Sequence, residues 1–184
     1  MEKSQFSNAI ESFHLPRCSE LPELDFYMDQ VISIMEKNLF LLSMDGSAKF
    51  ITPSMINNYV NLGIITPPKK KRYSKEHICY LFIICTLKSV VPIPSICEII
   101  KAQTKNRSVY ELYDMFCEAY ESMLMRAYET SKEILSETED FEEALAKLSL
   151  FMSINAGTAQ LIATNTLKAF PTEEKNDENA DKKA

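Results

Sequence analysis

TPSMINNYVNLGIITPPKKKRY, residues 52–73, is the stretch that decides how the rest of this sequence is interpreted. Thr52 can cap a first helical turn, and Pro53 suits the first helical position because its missing N–H would have no partner there. Gly63 follows about three turns later, where a left-handed C-cap favours a residue without a Cβ. The pattern predicts a short helix over residues 53–62.

This predicted helix has one outer face that is polar but uncharged. Positions i, i+3, i+4 and i+7 share that face, and they hold Ser54, Asn57, Asn58 and Asn61. Asn is a poor helix former, but its amide can pair with base edges, those of adenine in particular. A basic run follows, made of Lys69, Lys70, Lys71 and Arg72, and such cations neutralise phosphates. The combination suits a DNA reader, although a solvated helix before a lysine-rich turn explains it about as well.

Length and composition narrow the class of protein. A chain of 184 residues has room for one domain or two small ones. Its 46% hydrophobic content, with 10 Phe and 8 Tyr, supports a folded core, and only 3 Gly favour helices over phosphate-cradling loops. No apolar run approaches the ~20 residues of a membrane span. The cysteines lack CxxC spacing, which predicts reduced, mostly buried thiols of a cytoplasmic protein: Cys18, Cys79, Cys85, Cys97 and Cys117.

The net charge of −6 argues against a nucleic-acid partner, but the charge is unevenly distributed. Residues 1–44 carry 3 basic and 7 acidic side chains, a net charge of −4. Residues 45–107 carry 10 basic and 3 acidic side chains, a net +7, and residues 108–184 carry 7 basic and 16 acidic, a net −9. Phosphate binding depends on the charge within a screening length of roughly 8 Å. The basic middle segment therefore keeps nucleic acid among the candidate partners.

The spacing of apolar residues predicts an all-α chain. Residues 1–24 are expected to form an N-terminal arm, because prolines interrupt any long helix there. A helix from Leu24 to Leu42, capped by Asp25, follows on a 3.6-residue apolar period. Residues 43–51 are expected to form a loop with a turn at Asp45-Gly46.

The highest apolar density begins after Ser74, a good N-cap. Residues 78–87 are apolar at nearly every position, which predicts burial on all sides. A buried strand is the competing interpretation, but a capped run of about sixteen residues favours a helix. A short helix over residues 95–102 and a polar hinge at residues 101–107 complete this part of the chain.

The C-terminal part predicts further helices. A helix over residues 108–135 carries an apolar stripe too wide for a solvated single helix, and the stripe suits a bundle or a dimer seam. Another helix covers residues 141–154, and Asn155-Ala156-Gly157 is a candidate break before a last helix to about Phe170. Residues 171–184 are charged and lack apolar anchors, which predicts a disordered tail.

Three segments carry a family resemblance: MINNYVNLGII (residues 55–65), KKKRYSKEHICYLFIICTLKSV (69–90) and IPSICEII (93–100). Their order of short polar helix, basic turn, Tyr-Ser and two helices resembles the winged helix-turn-helix of the MerR-type transcription regulators. It is more closely similar to a family of small bacterial proteins of unknown function that carry a MerR-like winged helix. The resemblance is best over residues 50–102.

In MerR-type proteins the corresponding helix lies in the major groove, and the wing grips neighbouring phosphates. The resemblance implies that Asn57 takes a position usually held by arginine and that Tyr59 matches a tyrosine touching the DNA backbone. It also implies that Tyr73 matches the tyrosine that closes the wing. The sequence departs from the family pattern, because the helix has no Arg or Lys, the wing lacks its usual Gly, and the loop at 43–51 is long.

Catalytic and metal-binding patterns are weak in this sequence. His77 and Cys79 lie two residues apart on a predicted helix, so they point about 200° apart and cannot chelate one metal side by side. The carboxylates at residues 133–143 form a continuous run, which a solvated helix start explains. No phosphate-binding loop or hydrolase motif is present. We therefore expect no cofactor and no enzymatic activity.

The sequence favours a DNA-binding transcription regulator with a winged-helix domain over residues 25–107, a recognition helix at 53–62 and a basic wing at 67–73. Residues 108–170 are expected to form a dimerisation or effector region, with a homodimer through helix 108–135. A small-molecule effector stays open, because the Met and Tyr side chains of that helix could line a pocket. The alternative is a protein-interaction module that keeps a winged-helix scaffold without binding DNA.

Overall fold

The computed structural model describes residues 3–43, 50–137 and 139–169, and this part of the chain contains helices and two isolated β-bridges but no β-strand. The all-α prediction is therefore confirmed. The α-helices are α1 Lys3–Glu11, α2 Met28–Asn38, α3 Pro53–Asn61, α4 Lys75–Leu87, α5 Ile93–Thr104, α6 Val109–Ser136 and α7 Phe141–Leu167. Short 3₁₀ turns cover Cys18–Glu20 and Phe40–Ser43.

Helix α4 is the centre of the core, and its side chains from His77 to Thr86 are buried apart from a half-buried Tyr80. The N-terminal segment reaches it at Cys18, whose Sγ lies 3.6 Å from that of Cys79. Helix α6 reaches it where the ring of Tyr113 lies 5.5 Å from the ring of Phe82. The predicted burial on all sides is thus confirmed, and it follows from the apolar sequence of this helix.

Helix α2 begins later than the sequence predicts, at Met28 with Tyr27 as its N-cap. Phe26 is extended and exchanges two backbone hydrogen bonds of 2.8 Å with Tyr73. This bridge takes the residue that would have continued a helix from Leu24, so the predicted cap at Asp25 is wrong. The predicted loop at residues 43–51, with its turn at Asp45-Gly46, lies largely outside the described residues.

Helix α7 runs without interruption through Asn155-Ala156-Gly157, so the predicted break does not occur. One central Gly costs a helix only about 1 kcal/mol, which packing at its two ends can offset. Near its start Ala144 is fully buried, and near its end Leu167 packs against the core. Gln160 also donates a 3.0 Å hydrogen bond to the carbonyl of Val90. No helix in the described ranges has both the length and the apolar content that a membrane crossing requires.

The N-terminal segment, which the sequence predicts to be an arm, is held against α6 by hydrogen bonds. The carboxylate of Glu121 accepts hydrogen bonds from both terminal nitrogens of Arg17, at 2.9 and 2.5 Å, and from the Leu15 N–H at 2.7 Å. The Tyr113 hydroxyl donates to the Pro16 carbonyl, and the Cys18 N–H donates to Asp114. Ordered polar contacts of this kind hold an extended segment that is too short to form its own core.

One hydrophobic core joins the predicted DNA-binding and C-terminal regions. It includes Leu15 in the N-terminal segment, Ile84 in α4 and Cys117 in α6. The predicted boundary at residues 107–108 coincides with the turn before α6, but it does not divide this core. The predicted tail at residues 171–184 lies outside the described part of the chain.

The Glu121 carboxyl gives a first prediction. Burial raises its pKa, but the hydrogen bonds from Arg17 and Leu15 outweigh burial and hold the pKa below the ordinary 4.5. A lowered pKa means that the stabilisation is present above pH 4.5 and is lost as the pH falls through the folded-state value. Glu121→Gln should therefore lower the free energy of unfolding by about 1–3 kcal/mol at pH 7.

Urea unfolding measured between pH 7 and about pH 3 tests this prediction, because the gap between wild type and variant should narrow as the carboxyl is protonated. Glu118→Gln is the matched control, since it changes an exposed carboxylate on the same helix and should shift the unfolding free energy by less than about 0.5 kcal/mol. Equal stability of the Glu121→Gln variant and wild type at pH 7 would contradict the prediction.

Candidate nucleic-acid interface

Helix α3 presents the amide face that the sequence predicts. The Thr52 hydroxyl accepts the Met55 N–H at 3.2 Å as the N-cap, and Gly63 lies beyond the C-cap at a positive φ of 67°. Ile56 is fully buried on the inner side. The four outer side chains, Ser54, Asn57, Asn58 and Asn61, are all exposed.

The resemblance assigns Tyr59 to a contact with the DNA backbone and Tyr73 to the closure of the wing, and both side chains lie inside the protein. Each is 3% exposed. Burial, with the nearby Cys85 thiol, raises the pKa of Tyr59 to about 12. The Tyr59 carbonyl also accepts the Ile64 N–H at 3.0 Å and so ends the helix. In this structure the two tyrosines support the polar surface from beneath and do not reach a ligand.

The basic run forms a tight turn, here called the basic turn and made of Lys69, Lys70, Lys71 and Arg72. The Arg72 N–H donates to the Lys69 carbonyl at 2.9 Å and closes it. The central residues have positive φ values, 49° at Lys70 and 62° at Lys71, as in a type I′ turn. Two lysines thus occupy left-handed conformations that usually hold glycine.

The basic turn holds backbone strain. A residue with a Cβ pays roughly 1 kcal/mol or more in the left-handed region, which is why Asn-Gly or Gly-Gly usually fills a type I′ turn. The side chains of Lys70 and Lys71 are exposed, so no burial offsets this cost. Strain of this kind concentrates where a side chain is needed for function.

Arg72 is positioned by an aromatic residue that the sequence does not point to. Its guanidinium carbon lies 4.6 Å from the centroid of the Tyr27 ring, and one terminal nitrogen donates to the Tyr27 hydroxyl at 2.9 Å. A guanidinium has five N–H donors, so this bond leaves others for an anion. Tyr27 lies 45 positions from Arg72, and only the bridge between Phe26 and Tyr73 brings the two together.

His77 ties together the two ends of the segment that carries the basic turn. Its Nδ1 accepts the Ser74 N–H at 3.0 Å, and its Nε2 lies 3.0 Å from the Thr66 carbonyl. The carbonyl has no proton to give, so Nε2 is the protonated nitrogen and donates. The imidazole also meets the Tyr73 ring edge-on at 5.4 Å. His77 is thus a structural residue that fixes the spacing between α4 and the basic turn.

Other candidate chemistry is absent from the described residues or is buried. They contain no group of three or more His, Cys, Asp or Glu side chains placed to hold a metal. Four of the five thiols are buried, as predicted, and burial raises the pKa of Cys79 far above its ordinary value and that of Cys85 to about 12. These thiols are therefore structural and poorly nucleophilic.

One large cavity, of about 1000 Å³, lies between α1, the end of α6 and the start of α7. Its walls are mostly apolar and include Ile10, Leu124, Tyr128, Leu148 and Met152. The stripe of α6 that the sequence offered for a small-molecule pocket contributes Leu124 and Tyr128. An effector in this cavity stays a prediction.

The positive φ values in the basic turn predict that glycine at these positions stabilises the protein. Lys70→Gly and Lys71→Gly should each raise the free energy of unfolding by about 0.5–1 kcal/mol, because Gly adopts positive φ without a Cβ clash. Lys69→Gly, just outside the two left-handed positions, is the matched control and should lower it by a similar amount through added chain entropy. Chemical denaturation of the three single variants measures the change in the free energy of unfolding. Stabilisation by all three substitutions or by none would contradict the turn geometry.

Comparison with known proteins places most of this fold in one family. The family model described as a domain of unknown function (DUF1836) matches residues 16–122. The matched range starts within the N-terminal segment, includes α3 and the basic turn, and ends within α6. Searches of curated proteins and of solved structures give no match. The chain therefore belongs to the DUF1836 family, as its match over more than half of the sequence shows.

Proposed function

We propose that this protein is a DNA-binding transcription regulator in which α3 reads the major groove and the basic turn is a wing on the phosphate backbone. The observation that carries the proposal is the strain at Lys70 and Lys71. A turn optimised for stability alone would place Asn or Gly at both positions. Keeping two exposed cations there is useful when a concentrated positive charge must meet a polyanion.

The local electrostatics support phosphate as the target. Four consecutive cations project from a turn of four residues, and the surrounding segment, residues 45–107, carries a net +7. The contacts of Arg72 with the ring and the hydroxyl of Tyr27 restrict its side chain, which lowers the entropy lost when it binds a phosphate. Lys75, by contrast, is 2.6 Å from Glu23, so its charge is already partnered.

The amide face of α3 supplies the sequence-reading part of the proposal. Asn57 and Asn58 are exposed near the middle of a short, rigidly capped helix. Asn side chains form paired hydrogen bonds with adenine edges in the major groove. The helix carries no cation, so phosphate contacts position the protein through the basic turn, while the amides discriminate between bases.

The order of elements agrees with a winged helix-turn-helix of the MerR type. Helix α2 precedes α3, the basic turn follows α3, and the backbone bridge from Tyr73 returns to Phe26 immediately before α2. This bridge therefore connects the segment before α2 with the segment that follows the basic turn. The α2–α3 connection includes residues 44–49, which lie outside the described part of the chain.

Glycine substitution separates DNA binding from stability. The double variant Lys70→Gly/Lys71→Gly should fold at least as stably as wild type and yet bind duplex DNA more weakly. The slope of log K against log salt concentration should become less negative by roughly two, because about one counterion is released for each cation that contacts a phosphate. Fluorescence anisotropy with a random-sequence duplex, over a series of salt concentrations, measures both affinity and slope.

Lys132→Ala is the control for this experiment, because it removes one cation from α6, within the acidic C-terminal segment, and should leave the slope unchanged. An unchanged slope for the double glycine variant would exclude the basic turn as a wing. No binding of wild type even at low salt would favour the alternative function, a protein-interaction module on this scaffold.

The amide face predicts a different pattern of loss. Asn57→Ala and Asn58→Ala should lower affinity for a selected site by about 1–3 kcal/mol while leaving non-specific binding and the salt slope unchanged. Site selection from a random duplex pool, followed by competition between selected and scrambled duplexes, measures the ratio. If both variants keep the wild-type preference, α3 does not read the bases.

A further inference from the structure

Helix α7 carries an exposed apolar face that contains no charged residue over five and a half turns. Residues 148–167 include no Asp, Glu, Lys or Arg, in a chain where 25% of residues are charged. Its largest exposed side chains are Leu150 (64%), Ile154 (56%) and Leu161 (62%), with Phe151 and Ile162 beside them. Their spacing places all five within about a third of the helix circumference.

This face is distinct from the one that packs on the rest of the molecule. Leu148, Met152 and Leu167 are half-buried on the side that faces away from Leu150, and Ala144, at the edge between the two sides, is fully buried. The chain thus already covers one side of α7 and leaves the second apolar side in solvent. A helix that is apolar on two sides ordinarily has a second partner.

The stripe of α6 that suggested a dimer seam from sequence is mainly used within the chain. Val109, Leu112, Tyr128 and Ile134 of this stripe are buried, Phe116 and Tyr120 are half-buried, and Met115, Met123 and Met125 are exposed. The N-terminal segment and α4 cover much of this stripe through the Glu121 and Phe82 contacts. Among the described residues, α7 therefore exposes more large apolar side chains than α6 does.

The area of the α7 face is roughly two thirds of what one partner buries in a standard interface. The five exposed side chains present roughly 500–600 Å² of mostly apolar surface, at the upper end of what a typical monomer leaves uncovered. A standard interface buries about 800 Å² per partner, and the flanking polar residues of α7 can supply the rest.

The sequence of α7 is complementary to itself in one antiparallel register. Heptad spacing aligns positions 143, 147, 150, 154, 157, 161, 164 and 168, of which the central Leu150, Ile154 and Leu161 are apolar and the two ends are polar or charged. When two copies cross between residues 155 and 156, Leu150 of one faces Leu161 of the other, and Ile154 faces Gly157. At Gly157 an added Cβ would meet no neighbouring atom within 4 Å, so this position is open to an incoming side chain.

Charges at the two ends of α7 select the same register. Glu143 in the first turn then lies opposite Lys168, the C-cap residue of the second copy. Both side chains are exposed, and antiparallel pairing also places the negative end of one helix dipole beside the positive end of the other. A parallel pair would instead bring like charges together at each end.

We propose that the exposed face of α7 joins two copies of this chain as an antiparallel, two-fold symmetric pair. DNA does not fit this face, since residues 148–167 offer phosphate no cation. A membrane surface fits poorly too, because helices that lie in the headgroup region carry Lys and Arg on their polar side. The inference stands independently of the proposed DNA binding.

Sedimentation velocity of the full chain between about 1 and 100 µM tests the inference, and we expect a species of twice the chain mass. Ile154→Glu and Leu161→Glu should each raise the dimer dissociation constant by roughly a hundredfold, because each places two carboxylates in the apolar seam. Both residues are exposed in the single chain, so circular dichroism at a concentration where wild type and variants are all monomeric should show an unchanged helix content and melting curve.

Met123→Glu is the matched control, since Met123 is 69% exposed on α6 and lies on the competing surface. It should leave the dissociation constant within about twofold of wild type. A wild-type chain that stays monomeric at 100 µM overturns the inference. A dimer that Met123→Glu disrupts, while Ile154→Glu does not, also overturns it and assigns the interface to α6.

Charge reversal tests the register. Glu143→Lys and Lys168→Glu should each raise the dissociation constant roughly five- to tenfold at low salt, because the pair occurs twice in a two-fold dimer. The double variant should restore wild-type affinity, since it exchanges the two charges and keeps them opposite. Two single effects that add in the double variant, with no recovery, would overturn the antiparallel register.

Discussion

The burial of α4 on all sides is the constraint on which the rest of this structure depends. A helix with nearly continuous apolar residues must be covered around its whole circumference, and no single neighbour can do that. The N-terminal segment covers it at Cys79 and α6 at Phe82, and Tyr59 of α3 belongs to the same hydrophobic core. These three elements are held in fixed positions because they share one helix. The core therefore unites segments that composition and charge would divide into separate regions.

The candidate site is built on that core by buried residues that do not touch a ligand. Tyr59 ends α3 with its carbonyl, and His77 bridges Thr66 and Ser74 on the two sides of the basic turn. The exposed residues of α3 and of the basic turn do not pack in the core. Residues that lower stability can therefore occupy these positions. Left-handed lysines and an asparagine-rich helix both have such a cost. A rigid support beneath a locally unfavourable surface is the arrangement expected of a binding site.

The C-terminal helices show how one chain can use similar apolar stripes differently. The stripe of α6 is largely buried inside the molecule. Its buried side chains pack against α4 and against the N-terminal segment. The second stripe of α7 is left exposed, and its uncharged length sets it apart from an ordinary solvated helix. The family match ends at residue 122, so the hairpin of late α6 and α7 lies beyond the matched range. The proposed DNA-binding surface thus lies inside the matched range, and the proposed dimer interface lies outside it.

Local chemistry in the sequence determined the helices α3, α4 and α6, because caps, glycine and apolar period act within a few residues. It also determined which α3 side chains face solvent. Tertiary contacts decided the rest. The bridge from Phe26 to Tyr73 shortened α2 and brought Tyr27 to Arg72, and a pairing across so many residues leaves no local pattern. Packing at both ends kept α7 continuous through Gly157, overriding a weak local preference. The positive φ values of Lys70 and Lys71 follow from the closed turn. No sequence pattern predicts them, because glycine has the lower conformational energy at such positions.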